Sequence, residues 1–232
     1  MQANLEGVHE RITKAARGAG RPPDAVTLVA VSKTFPAEAV TAALACGQTD
    51  FGENYVQEAV EKIARVRELA PDASPKWHFI GPIQSNKTRW LAEHFDWVQS
   101  VDRLKVAERL SQQRPAERTP LNVLLQVNVS GEATKSGVAP AEVQVLARGV
   151  AALPRLQLRG LMVIPEPESE PGRQVEPLLR MKQLFEALRR DYPGCDTLSM
   201  GMSADLEAAV AAGSTMVRVG TAIFGERERK AA

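Results

Sequence analysis

The feature that most constrains this chain is a repeated alternation of short apolar runs with longer stretches of helical period. TLVAVSK (27–33) sets the pattern: it is apolar and β-branched, without polar alternation, as expected of a strand buried on both faces. Further strand candidates recur at 49–51, 77–80, 97–100, 121–129, 158–163, 197–200 and 215–219. Helical stretches lie between them at 36–45, 54–70, 85–94, 103–113, 140–152, 173–191 and 204–212. One more, 3–18, precedes the first strand and carries Leu5, Val8, Ile12 and Ala15 on one stripe. No Asn-Gly or similar hairpin signal separates any two strands, so the connections are helical crossovers. Alternating units of this kind fit a doubly wound sheet or a closed barrel. Eight countable units in 232 residues favour the α/β (β/α)8 TIM barrel, usually about 250 residues long, here with an extra N-terminal helix. Nothing reads as an interdomain linker. IPEPESEPGRQ (164–174) is expected to be a long loop, and residues 1–232 to form one domain.

Composition closes off several function classes. The 29 Lys and Arg against 28 Asp and Glu leave a net charge of +1, which excludes a strongly basic nucleic-acid binder. No apolar run approaches the roughly 20 residues that span a bilayer, and the N-terminus lacks the apolar core of a secretory signal. A cytoplasmic protein is expected, with neither membrane nor nucleic acid as partner. Two cysteines, Cys46 and Cys195, and three scattered histidines, His9, His78 and His94, offer neither a disulfide framework nor zinc-ligand spacing.

In a barrel the chemistry sits where the strands end. Lys33 closes the first apolar run, in phase with Thr27, Val29 and Val31. Partial desolvation of such an amine would make it a better nucleophile toward a carbonyl; the plainer alternative is a lysine that snorkels to solvent. SMGMSADLEAA (199–209) and RVGTAIFG (218–225) supply a second feature. Ser203 precedes a helical run and can cap it, and the main-chain N–H groups there favour an anion. Gly220 and Thr221, just after the last strand, add further donors. Loops after strands seven and eight form a recurrent phosphate site in barrels. A lysine with a phosphate nest suits an aldehyde-bearing phosphate: pyridoxal phosphate, or a sugar phosphate in a class I aldolase.

LVAVSKTFP, FGENYVQE, WHFIGPIQSNK, GLMVIP and LSMGMSADLEAAVAAGSTMVRVGTAIFG, in this order, resemble the motif set of the pyridoxal phosphate homeostasis protein family. The resemblance runs from about residue 4 to residue 226. It implies a barrel like the N-terminal domain of alanine racemase. It also implies that Lys33 carries pyridoxal 5'-phosphate as an internal aldimine, that Ser203, Gly220 and Thr221 hold the phosphate, and that Arg218 faces the pyridine nitrogen. The function implied is intracellular homeostasis of the cofactor, buffered or delivered without turnover, with pyridoxal phosphate-dependent apoenzymes as its partners.

The alternative is a pyridoxal phosphate-dependent amino-acid racemase. By resemblance that route needs a second base, a tyrosine from a C-terminal β-domain of a partner subunit. The chain is read as ending at Ala232 without that domain, which leaves Tyr55 and Tyr192 as the tyrosines present. Among other residues, Asn54 is read equally as a ligand to the cofactor's phenolic oxygen or lysine and as a helix cap. His78 is read as a satisfied core histidine. Met162, Met200 and Met202 are expected to form adaptable pocket walls. Lys135 is read as solvated rather than as a second transfer amine. Gln84, Asn86 and Lys87 form a polar cluster of no derivable role, and Arg180, Arg189 and Arg190 a solvated helix face.

Overall fold

Eight parallel strands close into a barrel in chain order in the computed structural model, which describes residues 1–131, 136–164 and 175–226. They are β1 (Thr27–Val31), β2 (Asp50–Glu53), β3 (Lys76–Phe79), β4 (Trp97–Val101), β5 (Leu121–Gln126), β6 (Leu156–Met162), β7 (Thr197–Ser199) and β8 (Met216–Val219). The last strand returns to the first, with Thr27 opposite Met216 and Val29 opposite Arg218. The helices that cross between strands are α2 (Ala37–Ala45), α3 (Val56–Leu69), α4 (Thr88–His94), α5 (Leu104–Gln113), α6 (Val143–Ala151), α7 (Val175–Asp191) and α8 (Leu206–Ala211). The barrel expected from the alternation is the fold observed. Lys135 and most of the loop expected at 164–174 lie outside the described residues.

The two faces of each strand go to different cores, as a period of two requires. Leu28 and Ala30 of β1 and Val217 and Val219 of β8 join the large layer under the helices. Val29, Trp97, Leu124, Met162 and Met216 form a separate small cluster inside the barrel. That interior is only partly apolar. His78, Gln99, Ser199 and Arg218 are buried with it.

Helix α1 (Gln2–Gly18) buries Leu5, Val8, Ile12 and Ala16 and packs against α8 and a last short helix, α9 (Thr221–Phe224). Four residues carry no readable period, so α9 has no signature in the sequence. The apolar runs also overstate two strands: β1 stops at Val31 rather than residue 33, and β5 at Gln126 rather than 129. Apolar character marks burial, and burial continues past the last ladder hydrogen bond. The helical stretch read at 85–94 opens with a 3-10 turn over Ser85–Lys87 before α4. No helix among the described residues is long and apolar enough to cross a membrane.

Candidate functional site

A cavity of about 340 Å³ opens at the carboxyl ends of the strands. Lys33, Asn54, Ser203, Arg218, Gly220 and Thr221 all line it, from segments that follow or close β1, β2, β7 and β8. Val31, Phe35, Ile80 and Met202 supply apolar wall.

Lys33 lies two residues beyond β1, in a turn rather than on the strand, yet keeps the inward phase of Val31. Thr34 next to it has φ 70°, a left-handed conformation unusual for a β-branched residue. What holds the turn is a buried ion cluster behind the barrel wall. Lys62 of α3 donates to the Ser32 carbonyl at 2.8 Å, to Glu53 Oε1 at 2.7 Å and to Glu58 Oε1 at 3.0 Å. Ser32 Oγ donates to the same Glu53 oxygen at 2.7 Å, and the Thr34 amide to Glu58 Oε1 at 2.7 Å. Glu53 is fully buried and Lys62 is 6% exposed. Burial pushes the Glu53 carboxyl above its ordinary value, and the pull of Lys62 and Ser32 does not fully offset it. Sequence reasoning missed this cluster; its one trace is a lysine four residues after a glutamate, which ordinarily marks a solvated pair.

Asn54 follows β2, and its amide oxygen is buried without a hydrogen-bond partner. It is not a helix cap: α3 begins after Tyr55 and takes no side-chain cap bond. Its backbone is pinned by Gly81, where a Cβ would meet the Asn54 carbonyl oxygen at 2.3 Å. An orphaned acceptor at a cavity wall is costly unless something there donates to it.

The two loops after β7 and β8 face the same cavity. Gly201 has φ 99°, and a Cβ there would meet that of Ala209 at 2.5 Å, so only glycine lets the loop lie this close to α8. Asp205, not Ser203, stands at the start of α8; its carboxylate accepts the Met202 amide at 2.7 Å. The helix thus starts two residues later than the sequence pattern suggests, and the Asp205 carboxylate binds back into the loop rather than capping the helix. Ser203 is left facing the cavity. Gly220 is the N-cap of α9, whose first amides lack intrahelical partners. Helix α1 braces both loops: Arg11 donates to the Ser203 carbonyl at 2.9 Å and pairs with Glu207, while Asn4 donates to the Ile223 carbonyl at 2.9 Å. Phe35 stacks on Phe224 at 5.1 Å and joins the Lys33 turn to α9.

Arg218 is buried in the barrel wall at the cavity, 3% exposed. Its Nη1 donates to Ser199 Oγ and its Nη2 to the Val163 carbonyl at 2.8 Å. Burial pushes the guanidinium down to about 10, which still leaves it charged at neutral pH.

Residues 4–228 match the model of the family described as alanine racemase, N-terminal domain. Over 225 residues the chain is 58% identical to the pyridoxal phosphate homeostasis protein of Escherichia coli strain K12, covering 97% of this chain and 96% of that one. The chain belongs to the pyridoxal phosphate homeostasis protein family. PipY of Synechococcus elongatus PCC7942, solved with PLP bound, superposes at TM-score 0.79 with 38% identity, over 94% of this chain and all of that one. Alanine racemase from Corynebacterium glutamicum, at 16% identity and TM-score 0.65, covers 98% of this chain with 64% of its own. It shares the fold.

Several residues noted in the sequence do not line the cavity of this family member. Met162 and Met200 are fully buried core, Met162 inside the barrel and Met200 under the helices; only Met202 is wall. Tyr55 is 55% exposed, and Tyr192 packs against the outer core. Gln84, Asn86 and Lys87 sit around the 3-10 turn before α4, away from the cavity. His78 is a satisfied interior histidine between Asp50 and Gln99, as read from the sequence.

Proposed function

We propose that the chain, acting as one unit over residues 1–232, binds pyridoxal 5'-phosphate and buffers or delivers it without turnover. The observation that carries this reading is the convergence, in one cavity, of an amine, an orphaned acceptor, a buried guanidinium and two hydroxyl-bearing glycine loops. When bound, pyridoxal phosphate supplies an electrophilic aldehyde and an aromatic ring that can take up electron density. Lys33 offers the amine that attaches the aldehyde. Asn54 offers its buried oxygen to an N–H of that attachment or its amide to the ring's phenolic oxygen. Ser203 and Thr221 hydroxyls, with the amides at Gly220 and the start of α9, hold the phosphate.

Arg218 faces the ring nitrogen in this reading. A permanent cation there disfavours a proton on that nitrogen, where catalysts of this cofactor class place a carboxylate. No imidazole, carboxylate or phenol stands among the described residues lining the cavity. Both points favour a carrier over a racemase. Delivery to pyridoxal phosphate-dependent apoenzymes in the cytoplasm belongs to the same reading.

The test is a titration with pyridoxal phosphate followed by incubation of the loaded protein with L-amino acids in deuterium oxide. A visible absorption band should saturate at one cofactor per chain, and Cα–deuterium exchange, read by NMR, should stay far below the ~10 per second median of enzymes. Exchange at enzyme-like rates would restore the racemase. The brace from α1 gives a finer check. Arg11→Met should weaken retention roughly twofold to fivefold, the scale of an exposed charged contact, with the fold unchanged. Retention equal to wild type would make the Arg11 contact with the Ser203 loop incidental.

A further inference from the structure

Arg218 carries a charge into the barrel, and its side-chain partners, Ser199 Oγ and the Val163 carbonyl, are both neutral. A continuous line of buried polar groups leads from it to the opposite mouth. Arg218 Nη1 donates to Ser199 Oγ at 2.6 Å, and Ser199 Oγ donates to Gln99 Oε1 at 2.7 Å. Gln99 Nε2 lies 2.9 Å from His78 Nδ1, and His78 Nε2 lies 2.9 Å from Asp50 Oδ1. The five residues stand on β8, β7, β4, β3 and β2, so the line crosses the barrel interior. Asp50 borders a separate cleft of about 630 Å³.

The partners of Gln99 assign the hydrogen directions in this line. Gln99 Nε2 also lies 3.2 Å from the Met216 thioether, a weak acceptor, which places the amide nitrogen and not the oxygen on that side. With Gln99 Nε2 facing it, His78 Nδ1 is the acceptor, and His78 Nε2 directs its N–H at Asp50. Trp97, stacked on the imidazole at 5.3 Å and 10°, keeps the ring from turning. The second Asp50 oxygen accepts from Thr49 Oγ1 at 2.7 Å. Burial raises the Asp50 carboxyl, but the bonds from His78 and Thr49, with the pull of His78 and of the Lys76 ammonium at the same mouth, outweigh it and hold it below its ordinary value. All donors thus point one way, from guanidinium to carboxylate, and bonds aligned head to tail polarise one another.

We propose that Asp50 is a second counter-charge of Arg218, in addition to Asp205 and coupled to the guanidinium through hydrogen bonds, and that Ser199, Gln99 and His78 are positioning residues that carry its influence across the barrel and fix the guanidinium toward the cavity. The consequence for a bound ring rests on the proposed function; the relay itself does not. Asp205, at the start of α8, acts on the guanidinium through space, but the groups hydrogen-bonded to it are both neutral, so a second carboxylate joined through hydrogen bonds adds to its support. A relay leaves the guanidinium charged and directed, while the carboxylate stays away from the cofactor cavity.

The experiment is NMR on the full chain without cofactor, labelled with 15N at histidine and arginine. Wild-type His78 should show a bare Nδ1 and a protonated Nε2. Asp50→Asn keeps an acceptor oxygen but removes the charge: the His78 tautomer should persist, and Arg218 side-chain N–H exchange with solvent should quicken at least about tenfold. In Gln99→Glu the new carboxylate can only accept, so His78 should become doubly protonated. A wild-type His78 protonated at Nδ1, or Arg218 exchange in Asp50→Asn equal to wild type, overturns the relay. In the loaded protein, Ser199→Ala should shift the cofactor's visible band. An unshifted band with the NMR results intact removes Arg218 from the ring and leaves the relay standing.

Discussion

Borohydride reduction of the loaded protein should fix pyridoxal phosphate on Lys33 as the main site, and Lys33→Ala should remove most of the fixed label. The expectation follows from where the amine stands. Lys33 is half-buried at a cavity wall, in phase with Val31 and held by a turn whose left-handed Thr34 is tied to Glu58. A lysine on an exposed helix face has neither the walls nor the nearby phosphate donors that would keep an aldehyde beside it. The same variant should unfold within about 0.5 kcal/mol of wild type, because a partly exposed side chain beyond the strand end leaves no core cavity. Peptide mapping that places the label chiefly on another lysine would end the assignment. A variant that loses both label and fold would instead make Lys33 a structural residue.

The largest stability effect is expected at a residue that never touches the cavity. Lys62→Met leaves the fully buried Glu53 without its cation, and breaking a buried pair from one side costs about 3–5 kcal/mol. The loss should depend on pH in a defined direction. Burial already holds the Glu53 carboxyl above its unfolded value, and without Lys62 it rises further. A group whose folded value is raised binds its proton more tightly in the folded state. Its contribution is complete below the unfolded value, about 4.3, and is lost as pH climbs through the folded one. Urea denaturation should therefore show a smaller deficit at pH 5 than at pH 8. Glu53→Gln on the same background should recover much of it, since the buried charge is then gone. A deficit equal at both pH values would place the cost elsewhere than Glu53. Cofactor retention should fall along with stability, because Lys62 also holds the Ser32 carbonyl next to the Lys33 turn.

The architecture was legible because it rests on short-range rules. Strands buried on both faces must be apolar along their length, and helices must show a stripe, so eight repeats of the two spell a closed barrel. Parity along a strand does the rest for Lys33: residues two apart share a face, which sets it with Val31, whereas Arg218 was marked by the family resemblance. Strand ends and glycine-hydroxyl loops pointed to the mouth where all six candidate residues meet.

What the sequence by itself determined, then, is the order of elements, their inward and outward faces and the residues gathered at one end of the strands. Tertiary structure alone decided what braces them. Lys62 reads as a surface lysine until α3 folds over Ser32 and Glu53; Arg11 and Asn4 read as polar positions of an amphipathic helix until α1 lies across the loops of β7 and β8. Met162 and Met202 are the same residue type, and only the depth of each along the barrel makes one core and the other wall. The relay from Arg218 to Asp50 joins five strands through side chains that alternation marks as inward but cannot pair. The physical reason is the same throughout. Periodicity and propensity act over a few residues and leave a trace in the chain, whereas a contact between distant segments depends on closure of the barrel, which brings its partners together only once every strand has found its neighbour.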